Sequence, residues 1–185
     1  MTTTNRLFNI HEYHRMADCG IFHPEERVEL IDGEIIKMAA KNPAHSSVTN
    51  AIQSYLEPLF KNTALIRTQD PIQLNDCSEP EPDIAVVRLD KRLYYDRHPT
   101  AADTYLIVEV ADTSLKYDTT KKAAAYARSG IKDYWVVDAV ERQIYFHAFP
   151  QDGEYSKVRI VTEPVVVGLE LFPDIKISTR YFFPI

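Results

Sequence analysis

The sequence predicts an α/β fold, a mixed β-sheet flanked by helices, and three observations carry that prediction. Residues 84–87, 106–110 and 134–137 are apolar throughout except for Glu109, the pattern of strands covered on both faces. Asp32-Gly33 stands between two β-prone runs, a strong hairpin signal because both turn residues tolerate positive φ. After Pro43, the residues Val48, Ile52, Tyr55, Leu56 and Leu59 recur at spacings of three and four, which builds one apolar helical face. Helices covering both faces of a sheet make an α/β sandwich the natural architecture.

The elements follow in order. Residues 11–19 read as a short helix stopped by Gly20. Strands 28–31 and 34–37 pair across the Asp32-Gly33 turn, and the long helix opens at Pro43. A strand is expected over 64–74, a polar turn over 75–81 and a second strand over 82–87. A charged loop leads to the apolar strand 104–110. Asp118 then precedes a helix over 119–129, ended by Gly130. An Asp at that place caps a helix by accepting backbone N–H bonds. Strands at 134–138 and 143–149 flank a turn, and 154–161 and 165–172 alternate like edge strands. No internal repeat or linker interrupts residues 1–185, so a single domain is expected.

Composition narrows the class. At 185 residues, 45% hydrophobic and 26% charged, the chain can bury a core without disulfides or a structural metal. Cys19 and Cys77 lack metal-site spacing and read as free thiols of a reducing compartment. The N-terminus has no stretch apolar enough for a signal peptide, and no run of about 18 apolar residues occurs. A cytoplasmic protein without a membrane span is therefore expected. The net charge of −6 argues against a tight, non-specific nucleic-acid binder. It leaves room for a nuclease, whose cation-binding carboxylates are themselves acidic.

Two acidic residues stand in strands, where an ionised carboxylate is costly unless paired or bound to a cation. Asp83 begins one apolar strand and Glu109 lies near the end of another. Either alone reads first as a solvated strand end. Side by side on neighbouring strands they would repel, and a hard divalent cation relieves that repulsion. A lysine beside them, such as Lys122, stabilises charge developing on a phosphate and helps deprotonate the attacking water.

Five segments carry a family resemblance. They are Glu29-Leu30-Ile31-Asp32-Gly33-Glu34-Ile35, Pro80-Glu81-Pro82-Asp83-Ile84-Ala85-Val86-Val87, Val108-Glu109-Val110, Tyr117-Asp118 with Lys122 and Tyr126-Ala127-Arg128-Ser129-Gly130, and Asp133-Tyr134-Trp135-Val136-Val137-Asp138. In order and spacing these resemble the Uma-type family of putative bacterial restriction endonucleases, a branch of the PD-(D/E)XK nucleases, from about residue 27 to 173. The resemblance implies a restriction-endonuclease-like core and a Mg²⁺- or Mn²⁺-dependent phosphodiesterase site acting on DNA. It assigns Asp83 and Glu109 to the metal, with the Val110 backbone carbonyl as a third ligand. Glu29 maps to an earlier acidic position, although Asp32 and Glu34 crowd the same hairpin. The superfamily lysine would stand at position 111, which here is Ala111. Lys122 of the next helix takes its place, with Lys121 as competitor, and one residue rotates a helical side chain by about 100°. His45 matches a family histidine that would contact a phosphate or a water, and a capping or exposed histidine is the alternative. A homodimer is implied by the superfamily's habit of cutting two strands.

Other residues have plainer readings. Tyr126, Tyr134 and Trp135 read as core aromatics. Arg88, Lys91, Arg92 and Arg97 read as a solvated loop, because Asp90 and Asp96 interleave with them. A catalytically silent binding or assembly module on the same fold, and an enzyme acting on other phosphate esters, are the competing functional readings.

Overall fold

A computed structural model describes residues 4–184. Helix α1 (Ile10–Asp18) is opened by a capping box: the Asn9 side chain accepts from the Glu12 N–H at 2.9 Å, while the Glu12 carboxylate accepts from the Asn9 N–H. Strands β1 (Val28–Ile31) and β2 (Glu34–Lys37) pair antiparallel with Ile31 opposite Glu34. Asp32 and Gly33 turn between them at φ 51° and 78°. A Cβ on Gly33 would lie 2.6 Å from the Leu7 side chain, so space as well as φ demands glycine there.

Helix α2 (Pro43–Phe60) starts with Asn42 accepting from the His45 N–H and with Pro43 in the first turn, where proline's missing N–H costs nothing. It buries Val48, Ile52, Leu56 and Phe60. The main sheet has six strands: β3 (Ala64–Arg67), β4 (Ile84–Arg88), β5 (Thr104–Ala111), β6 (Asp133–Asp138), β7 (Gln143–Gln151) and β8 (Glu154–Val161), ordered as numbered. Only β5 and β6 run parallel. A parallel pair needs a crossover, and the helical run α3 (115–128) supplies it.

Alternation along the strands sorts the core into two faces. Ile84, Val86, Leu106 and Val108 pack beneath α2 with Trp135 and Phe182. Ala85, Val87, Ile107 and Ala111 pack beneath α3 with Tyr126 and Tyr134. Each large side chain so buried stabilises the fold by about 1.5–3 kcal/mol. The mixed sheet flanked by helices is the predicted architecture.

Three expectations need correction. The strand expected over 64–74 ends at Arg67, because Gln69 adopts φ 56°. Ile72 and Leu74 are buried from a loop instead; their hydrophobicity reported burial rather than strand. The helix expected from 119 is already helical at Leu115, and its middle, Asp118–Lys122, is a π turn. Asp118 is therefore inside the helical run and does not cap it. The strand expected over 165–172 divides into β9 (Val166–Leu169) and β10 (Phe172–Ser178), a ribbon separate from the main sheet. Among the described residues, no helix is long and apolar enough to cross a membrane. Cys19 is exposed and Cys77 half-buried, both as free thiols.

Candidate active site

The register of β4 on β5 places Ile84 opposite Val108, which brings Asp83 beside Glu109 on the α3 face. The Asp83 N–H makes a long contact, 3.4 Å, to Glu109 Oε2. Helix α3 lies over this end of the sheet. Lys122 donates to Glu109 Oε1 at 3.0 Å, and Tyr126, one helical turn further, donates its hydroxyl to the same oxygen at 2.9 Å. From β1, Glu29 Oε1 lies 3.1 Å from Lys122 Nζ, and Glu29 Oε2 accepts from the Glu81 N–H at 3.2 Å. Glu29, Asp83, Glu109 and Lys122 are each at least nine-tenths buried.

The competition between neighbours is resolved by the helix rotation. Lys122 is buried in the cluster and Lys121 is exposed. Of the three hairpin acids, Glu29 is buried, Asp32 pairs with Arg128 and Glu34 is exposed. Ala111 is buried beneath α3, and the Lys122 ammonium reaches the Glu109 carboxylate from the helix instead. His45, in the first turn of α2, is within 3.0 Å of Asp83 Oδ2 through Nε2, and its Nδ1 is buried without a partner. The histidine is thus turned onto Asp83. Val110 donates its N–H to the same Oδ2 at 2.9 Å.

Three participants escaped the sequence reading. Gln69 donates its side-chain amide to Asp83 Oδ1 at 3.2 Å. Tyr126 is core, as expected, but its hydroxyl also serves the site. Asp118 is buried within the cleft wall and accepts from the Ser114 hydroxyl at 2.5 Å. The spacing of Lys122 and Tyr126, four apart on one helical face, is a signal that pointed to the tyrosine. Nothing comparable marks Gln69, which arrives by a turn. The basic loop stays apart from the site: Arg92 pairs with Asp96, and Arg97 and Arg88 with Asp103.

Electrostatically the cluster has more acid than base. Burial pushes the Asp83 carboxyl up, but the hydrogen bond and charge of His45, with the Val110 N–H and Gln69 amide, hold it below the usual value. Glu109 goes the other way. Full burial raises it, Lys122 opposes that, and Asp83, Asp118 and Glu29 raise it again, leaving it pushed up to about 8. Burial likewise raises Asp118 against the pull of Lys122. Burial alone would lower Lys122, but Glu109, Glu29 and Asp118 outweigh it and hold the ammonium charged. One ammonium is shared among three carboxylates, so negative charge is in excess.

The free acceptor capacity matches a hard cation. A carboxylate oxygen has two lone pairs. Asp83 Oδ2 has both engaged, by His45 and Val110, and Glu109 Oε1 has both engaged, by Lys122 and Tyr126. Asp83 Oδ1 and Glu109 Oε2 each have one donor and one place left. Among the described residues, no three His, Cys, Asp or Glu side chains form a ready-made metal cage. Magnesium does not require one, since it is usually held by one or two carboxylates and keeps its remaining places for water and phosphate oxygens.

These groups line a cleft of about 310 Å³ whose mouth carries Lys37, Lys41 and Tyr117. A larger cavity of about 400 Å³ lies between β6–β8 and the β9–β10 ribbon. Its lining sets Trp135, Phe146 and Phe149 beside Asp133, Glu170, Lys157 and Arg159. Glu170 pairs with Lys132, however, and Asp133 accepts from the Glu170 N–H, so these acids do not converge on one buried lysine as those of the smaller cleft do.

The solved structure of a protein from Anabaena variabilis ATCC 29413, described as a putative nuclease belonging to DUF820, matches with a TM-score of 0.73 at 18% identity, covering 95% of this chain and 97% of that one. That likeness shows a shared fold. No curated protein matches the sequence. The family model Uma2, described as "Putative restriction endonuclease", matches residues 10–180, and the chain belongs to that family.

Proposed function

We propose that the chain is a divalent-metal-dependent nuclease that hydrolyses DNA phosphodiester bonds. The observation that best supports this reading is the meeting of Asp83, Glu109, Lys122 and Glu29, from four separate stretches of sequence, in one cleft. Asp83 and Glu109 would hold Mg²⁺ or Mn²⁺ through the two oxygens with room to spare, and Val110 would add its backbone carbonyl. When bound, such a cation neutralises charge on the phosphoryl oxygens and acidifies a water beside them.

The protein groups have separate tasks. Lys122, held protonated by its acids, serves as a fixed cation rather than a base, steadying the charge that grows on the phosphate. Glu29 shares its ammonium and keeps it aimed into the cleft. His45 braces Asp83, and its buried Nδ1 is what remains to meet a water or a phosphate oxygen. Lys37 and Lys41 at the mouth suit the approach of a polyanionic strand.

Cleavage of supercoiled plasmid and of single-stranded DNA with Mn²⁺, comparing wild type and Asp83→Ala, tests the reading. Asp83→Ala should lose calorimetric Mn²⁺ binding and at least about 10²-fold of the cleavage rate, the loss typical of removing a main electrostatic element. Undiminished activity in the variant would sink the assignment. A wild type that neither binds Mn²⁺ nor cuts would point to a binding or assembly module instead.

Cutting both strands favours two sites related by a twofold axis, so the active form is expected to be a homodimer. Light scattering should then give twice the 21.3 kDa chain mass. A monomer at every concentration would remove the dimer from the proposal.

A further inference from the structure

We propose that Gln69 is a positioning residue for the cation site, holding the one Asp83 oxygen that is left to face the cation. The inference rests on the nuclease reading above and goes beyond it, since Gln69 belongs to none of the acidic or basic positions that define the cleft. Its backbone is the first sign. Gln69 sits at φ 56°, a left-handed conformation uncommon for a residue other than glycine, asparagine or aspartate. Its N–H is shared between the carbonyls of Pro82, at 3.0 Å, and Asp83, at 3.2 Å, so the turn is docked on the residue it serves. Strain of this kind persists where surrounding structure insists on it, and it concentrates at functional sites.

The side chain gives the reason. Nε2 donates to Asp83 Oδ1 at 3.2 Å, while the amide oxygen accepts from the Lys41 ammonium. Between an anion on one side and a cation on the other, a primary amide offers a donor to the first and an acceptor to the second. A carboxylate there would repel Asp83, and an ammonium would repel Lys41. Lys41 therefore fixes which way round the amide sits. His45 and Val110 fill the lone pairs of Oδ2, and the Gln69 amide fills one of the two on Oδ1. The carboxylate is left with a single direction in which to bind. Groups that orient a metal ligand in this way are typically worth 10–100-fold in metal affinity.

Calorimetry with Mn²⁺ alone on wild type, Gln69→Asn and Gln69→Gly tests this, with thermal melts of the same proteins without metal. Both replacements tolerate positive φ, so the turn should survive and the melting temperature should stay within a few degrees. Asparagine keeps an amide but is one methylene too short to reach Oδ1. Both variants should bind Mn²⁺ about 10–100-fold more weakly. Wild-type affinity in either variant overturns the proposal while leaving the nuclease reading intact. A melting temperature lowered by more than about 10 °C in both assigns Gln69 to the fold and also overturns it. A wild type that binds no Mn²⁺ removes the nuclease reading, and this inference with it.

Discussion

Replacing Lys122 with methionine is expected to destabilise the protein by about 3–5 kcal/mol at pH 8, the cost of leaving buried charges without their partner. The methionine keeps most of the apolar stem, so the loss belongs to the charge. Nζ lies 3.0 Å from Glu109 and 3.1 Å from Glu29, and Asp118 also depends on it. With the ammonium gone, these acids can stay buried only by taking up protons. The penalty should therefore shrink at pH 5, where protons are more readily acquired, and fall only in part in a Lys122→Met/Glu109→Gln double variant, where Glu29 and Asp118 still lack their partner. Urea denaturation at the two pH values measures this. Lys121→Met is the control: the side chain is exposed and its removal should cost no more than about 0.5 kcal/mol. Equal costs for the two lysines would contradict the whole electrostatic description of the cleft. For a domain whose total stability is commonly about 5–15 kcal/mol, the predicted difference is easily resolved.

That lysine also illustrates what the sequence could and could not convey. The strands bearing Asp83 and Glu109 were legible because central strands are continuously apolar, so a carboxylate among them stands out. The hairpin was legible because Asp32-Gly33 is local turn chemistry. Choosing Lys122 over Lys121 required a helical phase. The π turn at Asp118–Lys122 alters that phase, and nothing in the local residue pattern announces it. The same displacement hid Asp118, whose carboxylate looks like a cap when the helix is assumed to start after it. Gln69 was invisible for another reason. A polar residue between Thr68 and Asp70 has the composition of any loop, and its meaning comes from where the backbone aims it. Ile72 and Leu74 misled in the opposite sense, since hydrophobic alternation reports burial and the handbill of a strand only when hydrogen bonding follows. Local chemistry and periodicity were thus readable, while long-range aim was not.

Saturating Mn²⁺ is expected to raise the melting temperature more at pH 8 than at pH 6, because the cation and a proton compete for Glu109. The folded protein holds that carboxyl at about 8, above its ordinary 4.5. Between those values the folded state keeps a proton that the unfolded chain has released, so metal-free stability falls as pH rises through this window, by at most about 1.4 kcal/mol per pH unit. Asp118, also raised, adds to the same trend. Asp83 has the opposite sign: held below 3.8, it contributes stability present above that value and lost only in stronger acid. Lys122, raised further above 10.5, loses nothing across this range. A cation that needs the Glu109 carboxylate must displace its proton, as ligand deprotonation commonly accompanies metal binding. Below about pH 8 the apparent dissociation constant should then weaken about tenfold per pH unit, with one proton released per ion bound. The metal-induced stabilisation follows the logarithm of concentration over that constant, so it should shrink by about 1.4 kcal/mol for each unit of acidification. Calorimetry in buffers of different ionisation enthalpy counts the proton directly. Glu109→Gln should abolish both the proton release and the pH dependence. A metal-induced shift that is the same at pH 6 and pH 8 would mean that Glu109 is not where the cation binds.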